Sequence, residues 1–134
     1  MFNFGKTEEE AARLSAMDEN YAIISFKPDG TIINANDNFL NVLGYKLNEA
    51  VGNHHRIFCD KTYTNTKDYT DFWNNLNNGI SQINEFERIR KDGSSVWIQA
   101  SYTPVKNKSG KVTRVVKFAQ DITEAKKVID AVKK

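Results

Sequence analysis

The feature that most constrains this chain is a change of hydrophobic period in its last third. Over Gln82–Arg90, Ser95–Val105 and Lys111–Asp121 the pattern alternates, as it does in strands. In the middle stretch Val96, Ile98, Ala100 and Tyr102 share one face, and Trp97, Gln99, Ser101 and Thr103 share the other. The turn sequences Lys91-Asp92-Gly93 and Asn107-Lys108-Ser109-Gly110 join the three into an antiparallel set. A second pair comes earlier: Tyr21–Phe26 and Thr31–Asn34 flank Lys27-Pro28-Asp29-Gly30 and read as a β-hairpin. Five strands, split two and three with helical sequence between them, predict an α+β domain. It would have one five-stranded antiparallel sheet with helices over one face.

The inserted and flanking segments carry helical spacing. Asn36–Gly44 places Phe39, Leu40 and Leu43 on one face, with Asn36 as N-cap and Gly44 as stop. Leu47–Val51 is a short turn of helix, and 53–67 reads as polar and irregular. Asp68–Asn78 aligns Tyr69, Phe72, Trp73 and Leu76, with Gly79 as its stop. A helix from Thr7 to about Met17 is capped by Thr7 and opens with three glutamates, and another closes the chain from Thr123 to Lys134. The expected division is a flanking helix over 1–18, a core domain over 19–122 and a terminal helix over 123–134.

Composition narrows the function classes. At 134 residues and 40% hydrophobic the chain fills a single core, and no apolar run is long enough to span a bilayer. The opening MFNFGKTEEE lacks the basic-then-apolar pattern of a secretory signal. Nineteen basic against seventeen acidic residues is too even a balance to argue for nucleic acid. A single cysteine, Cys59, excludes an internal disulfide and an all-cysteine metal site, which points to a reducing, cytoplasmic setting. There is no P-loop, paired-carboxylate motif or Ser/His/Asp arrangement, so no enzyme activity is expected.

The ordered series DGTIINANDNFLNVLGY, LNEAVG, FWNNLNNG, RIRKDGSSVWIQASYTPV and GKVTRVVKFAQDIT resembles the PAS sensor domains. The resemblance covers roughly residues 19–123. GNHHRIFCD, a tyrosine-rich loop and WIQASYTPV resemble more narrowly the PAS modules of bacterial methyl-accepting chemotaxis receptors, including the aerotaxis kind. It implies a sensor that holds a cofactor or small ligand between sheet and helices and signals through its terminal helices. It also implies a homodimer through the flanking helices and a downstream signalling domain of the same receptor. No membrane contact by this segment is implied. The runner-up is a ligand-free PAS dimerisation module whose interior is filled by its own Phe39, Phe86 and Tyr102.

The resemblance frames the choice of occupant. The photoactive flavin (LOV) branch carries GxNCRFLQ with a reactive cysteine, and Gly52–Cys59 stands in its place here. His55 occupies the adduct position, while Arg88 and Ile98 stand where the flavin ring meets asparagines, so adduct chemistry is not expected. Non-covalent FAD, as in the aerotaxis receptor, is supported by NANDNFLNVLGY and by Trp73, with Arg88 available to a phosphate or carboxylate. Haem b needs a neutral imidazole facing the interior, and only His54 and His55 offer one, with His55 the candidate iron ligand. Neighbouring residues in a helical turn point about 100° apart, so at most one of the two faces inward comfortably. The alternative is that His54 caps a helix and His55 simply packs or bonds to a carbonyl. Asn36 could serve as N-cap, as a pocket-mouth contact, or as both. Val96, Ile98, Ala100 and Phe118 are expected to form the cavity wall, and Trp97 to lie outside it under the N-terminal helix. Asp121 and Thr123 resemble the DIT element that starts the signalling helix, along which Ile122, Ala125, Ile129 and Val132 form a short heptad seam.

Overall fold

A computed structural model describes residues 7–133. The first six residues of the expected flanking segment 1–18, and Lys134 at the end of the expected terminal helix, lie outside them. The chain runs α1 (Glu8–Asn20), β1 (Ala22–Phe26), β2 (Ile32–Ala35), α2 (Asp37–Leu43), α3 (Leu47–Ala50), a 3₁₀ turn (His55–Phe58), α4 (Lys61–Thr64), α5 (Lys67–Asn77), β3 (Gln82–Ile89), β4 (Ser95–Lys106), β5 (Val112–Asp121) and α6 (Thr123–Lys133). The five strands form one antiparallel sheet in the order β2-β1-β5-β4-β3, so the last strand is the central one. β5 is therefore zipped on both sides, with Lys117 opposite Ile24 on β1 and opposite Tyr102 on β4.

One sheet face is the core face. Ala22, Ile24 and Phe26 of β1, Val96, Ile98, Ala100 and Tyr102 of β4, and Val115 and Ala119 of β5 are buried there. Above them lie Phe39, Leu40 and Leu43 of α2 and Tyr69, Phe72, Trp73 and Leu76 of α5, the faces that helical spacing predicts. The 53–67 stretch is not irregular throughout. His54 caps the 3₁₀ turn through the Arg56 N–H, Asp60 caps α4 through that of Thr62, and Thr66 caps α5 through that of Tyr69. Three consecutive caps hold what the polar composition conceals.

Two placements differ from expectation. Phe118 does not line the interior. It pairs with Ile23 and Ser101 and meets Tyr21 edge-on on the opposite face, because the inward phase of β5 is set by Tyr102 and Ala100 facing Lys117 and Ala119. Trp97 lies on the outer face but under α6, not under the N-terminal helix: the Lys126 Nζ sits 4.5 Å from its ring centroid. The N-terminal helix α1 stands apart from the sheet. It has no buried residue and is tethered by its end, where Asn38 Nδ2 donates to the carbonyls of Asp18 and Glu19.

Candidate functional site

The site is assembled from an interior polar chain. The 3₁₀ turn carries His55, α5 carries Tyr69, β4 carries Tyr102 and β3 carries Arg88. The turn begins where His54 Nδ1 accepts the Arg56 N–H and His54 Nε2 bonds to the Asp29 carbonyl at 2.7 Å. With His54 pinned to the hairpin loop, the next side chain turns inward, and His55 is completely buried. Gly30 makes this approach feasible. Its φ is +92°, and any β-carbon there would run into the His54 ring.

Both nitrogens of His55 are taken. Nδ1 lies 2.8 Å from the Tyr69 hydroxyl and Nε2 lies 2.9 Å from the Tyr102 hydroxyl. Arg88 NH2 donates to the same Tyr102 oxygen at 3.2 Å. Because Tyr102 accepts from arginine, its own proton is free for Nε2, and the tautomer that satisfies every group then carries its hydrogen on Nδ1 and donates to Tyr69. Burial, together with nearby Arg88 and Lys117, pushes His55 well below the usual histidine range, so the imidazole is neutral. Burial pushes the Tyr102 phenol up to about 12 and raises Tyr69 as well, so both keep their protons. The Cys59 Sγ lies 3.6 Å from His55 Nδ1, with its thiol pushed up by burial and therefore unreactive. Phe26, Phe58, Phe72 and Trp73 pack around the imidazole with centroids 5.4–6.3 Å away.

The side chain that sequence reasoning missed is Lys117. It projects from the central strand onto the core face, is fully buried, and its Nζ has no hydrogen-bond partner. The Nζ sits 4.8 Å from the centroid of Tyr102 and 5.2 Å from that of Phe39. Burial, with Arg88 adding to it, pushes the amine well below the usual lysine range. The available signal was the alternation itself: once Tyr102 and Ala100 point inward, strand pairing sends Lys117 inward too.

Of the residues singled out from sequence, His55, Trp73, Arg88 and Ile98 lie in this interior, Ile98 as apolar wall at 0% exposure. His54 stands at its edge, its ring 5.9 Å from that of Trp73. Asn36 is elsewhere and fully occupied: Oδ1 accepts from the Ile23 and Phe39 N–H groups, and Nδ2 donates to the Tyr21 carbonyl. Asp121 and Thr123 lie at the end of β5. Asp121 Oδ1 accepts from the Thr123 N–H and hydroxyl, while Thr123 Oγ1 accepts the Trp97 N–H and the Ile122 N–H donates to the Trp97 carbonyl.

The residues do not fit a haem as they are arranged. An iron ligand needs a free imidazole nitrogen with an open face, and His55 has a tyrosine hydroxyl on each nitrogen and rings on its sides. In the same arrangement the Phe26 and Tyr102 rings stack with centroids 6.5 Å apart across the interior that a flavin would enter. Among the described residues no group of three or more His, Cys, Asp or Glu side chains is placed to hold a metal ion.

A family model described as PAS domain matches residues 20–124. The biofilm dispersion protein BdlA of Pseudomonas aeruginosa is 40% identical over 109 residues, covering 81% of this chain and 26% of that protein. Phototropin-1A of Oryza sativa subsp. japonica is 26% identical over 125 residues, 90% of this chain and 14% of that protein. The chain thus spans about a quarter or less of these relatives. Among solved structures, a PAS domain from Colwellia psychrerythraea superposes with a TM-score of 0.74 at 21% identity, covering 87% of this chain and 99% of that one.

Proposed function

The chain belongs to the PAS family, and from that premise we propose that it is the cytoplasmic sensory module of a chemotaxis-type signal-transduction receptor. It would read the state of its interior and pass it on through α6 to a further domain. The observation that carries this reading is the course of β5. Its core face presents Lys117 to the buried cluster, and four residues later the same strand ends in the Asp121–Thr123 clasp that anchors α6 to Trp97. A change at Tyr102, Arg88 or Lys117 therefore has a short, rigid path to the helix start. For the interior to drive the helix, its two states must differ in affinity for whatever it senses.

The division into 1–18, 19–122 and 123–134 follows the same logic, with the outer segments as connecting helices. A homodimer through them is part of this proposal. Ile129 is 48% exposed, Val132 81% and Leu14 46%, so both helices carry apolar side chains that nothing in the described chain covers. The dimerisation reading stands as a second possibility on a specific observation, since Phe39 and Tyr102 are fully buried and Phe86 packs against the core. The two readings separate in one experiment. In a receptor carrying this segment, Asp121→Ala is expected to uncouple output while ligand binding is kept. Equal loss of binding and output would reject the relay.

A further inference from the structure

Among the described residues, three polar or charged ones are buried in the core: His55, Arg88 and Lys117. All are bases. The ion pairs among the described residues, such as Lys67–Asp71, Lys91–Glu49 and Lys126–Glu85, include neither Arg88 nor Lys117. Among the described residues, the buried side-chain polar atoms without a partner are Arg88 Nε, Lys117 Nζ and Trp73 Nε1. Every one of them is a donor. Burying a cationic group without a counter-charge costs several kcal/mol, and native cores rarely leave such groups unmatched. A surplus made only of donors, two of them on bases, calls for an acceptor that brings negative charge.

The surroundings say what kind of anion. Lys117 Nζ lies against the rings of Phe39 and Tyr102, and the Arg88 guanidinium stands 4.5 Å over Phe86 and 5.9 Å from Tyr63. These ring faces reward an apolar body behind the charged head. Arg88 also lines a surface groove of about 320 Å³ together with Tyr63, Phe86 and Trp97. Asp60, Glu85 and Glu87 line that groove too, and their charge disfavours entry of a polyanion. Granted the sensory reading above, we infer that the interior takes a small organic monocarboxylate with an apolar body, its head held between Arg88 and Lys117 beside Tyr102.

The test uses the protein covering residues 1–134 and a panel of acetate, butyrate, hexanoate and benzoate. Each acid is paired with its neutral amide, and inorganic phosphate is added as the purely ionic control. Binding is read by thermal melting and by the Lys117 side-chain carbon resonance. At least one longer acid is expected to raise the melting temperature saturably and to move the Lys117 signal at least tenfold more effectively than its amide or phosphate. K117M and R88Q should each weaken that response at least tenfold, with K117M still folded as judged by circular dichroism. An effect of phosphate equal to that of the best acid would overturn the apolar-body assignment. Acids no better than their amides across the panel, or an undiminished response in folded K117M, would overturn the site. Amide exchange at Ile122 and Thr123, recorded in the same samples, keeps the two ideas apart. Binding without a change there removes the relay and leaves the site standing, whereas no binding removes the site alone.

Discussion

Lys117→Met is the substitution with the least expected outcome, because removing a charge-bearing side chain from the centre of the sheet should stabilise the protein. Lys117 is fully buried and its Nζ has no partner. An unsatisfied buried polar group costs about 1–3 kcal/mol. Methionine has a similar length and places a thioether against the same Phe39 and Tyr102 rings, a contact that is favourable by a further ~0.3–1.5 kcal/mol. A gain of about 2 kcal/mol is expected, which for a domain of this size raises Tm by roughly 6–10 °C. The gain should depend on pH with a defined sign. The folded amine titrates well below the ordinary lysine value of 10.5, so between the folded value and 10.5 the unfolded chain binds more protons than the native one. Wild-type stability therefore climbs with pH through that window, and K117M lacks this climb. The difference between the two proteins should be largest at low pH and shrink as pH approaches 10.5. Urea unfolding of both proteins at several pH values measures it. A destabilised K117M, or a difference that does not vary with pH, would refute the reasoning.

Other outcomes follow from the same cluster. His55→Phe fits the ring pocket but strands the Tyr69 and Tyr102 hydroxyls, so it should cost about 2–4 kcal/mol in chemical denaturation. His55 stays neutral in the fold although its ordinary value is 6.5, so its contribution is complete above that value and is lost as pH falls below it. The acid limb of the stability profile should accordingly flatten in His55→Phe. Gly30→Ala sets a β-carbon against the His54 ring at a φ of +92°, and should lower Tm by several degrees through a loss of more than about 1 kcal/mol. Expression with haem precursor and flavin supplied should give purified protein with neither a Soret band nor flavin bands in its ultraviolet–visible spectrum. A Soret band lost in His55→Ala would show that the tyrosines yield the imidazole to iron.

Much of the fold can be read from local pattern because the pattern is strong where the burial is one-sided. The alternation of Val96, Ile98, Ala100 and Tyr102 and the helical spacing of Tyr69, Phe72, Trp73 and Leu76 each report a single buried face, and those residues are buried. Phe118 and Lys117 show where this stops. Val115 and Val116 are adjacent and apolar, so the phase of β5 is ambiguous in isolation, and hydropathy favours sending the phenylalanine inward. Pairing with β4 decides the other way, and that is a tertiary constraint. The 53–67 stretch escaped for a different reason: its helical turns are short and held by caps rather than by apolar spacing. The candidate site was half legible. His55 and Arg88 are conspicuous as residue types, but their link through Tyr102 spans three elements and needs the β3–β4 register to bring it together.

The central claim is that the buried cluster and the start of α6 are one mechanical unit joined by β4 and β5. Tyr102→Phe tests it most directly, because it deletes one oxygen, leaves Arg88 NH2 and His55 Nε2 without their shared partner, and touches nothing on α6. Amide exchange measured by NMR in wild type and Tyr102→Phe reads the response at Ile122 and Thr123, whose N–H groups bond to the Trp97 carbonyl and to Asp121. The relay predicts that protection at these two amides changes severalfold while Ile32 and Leu40, in the hairpin and α2, follow only the global stability. Unchanged exchange at Ile122 and Thr123, or a uniform shift at all four amides, would contradict it.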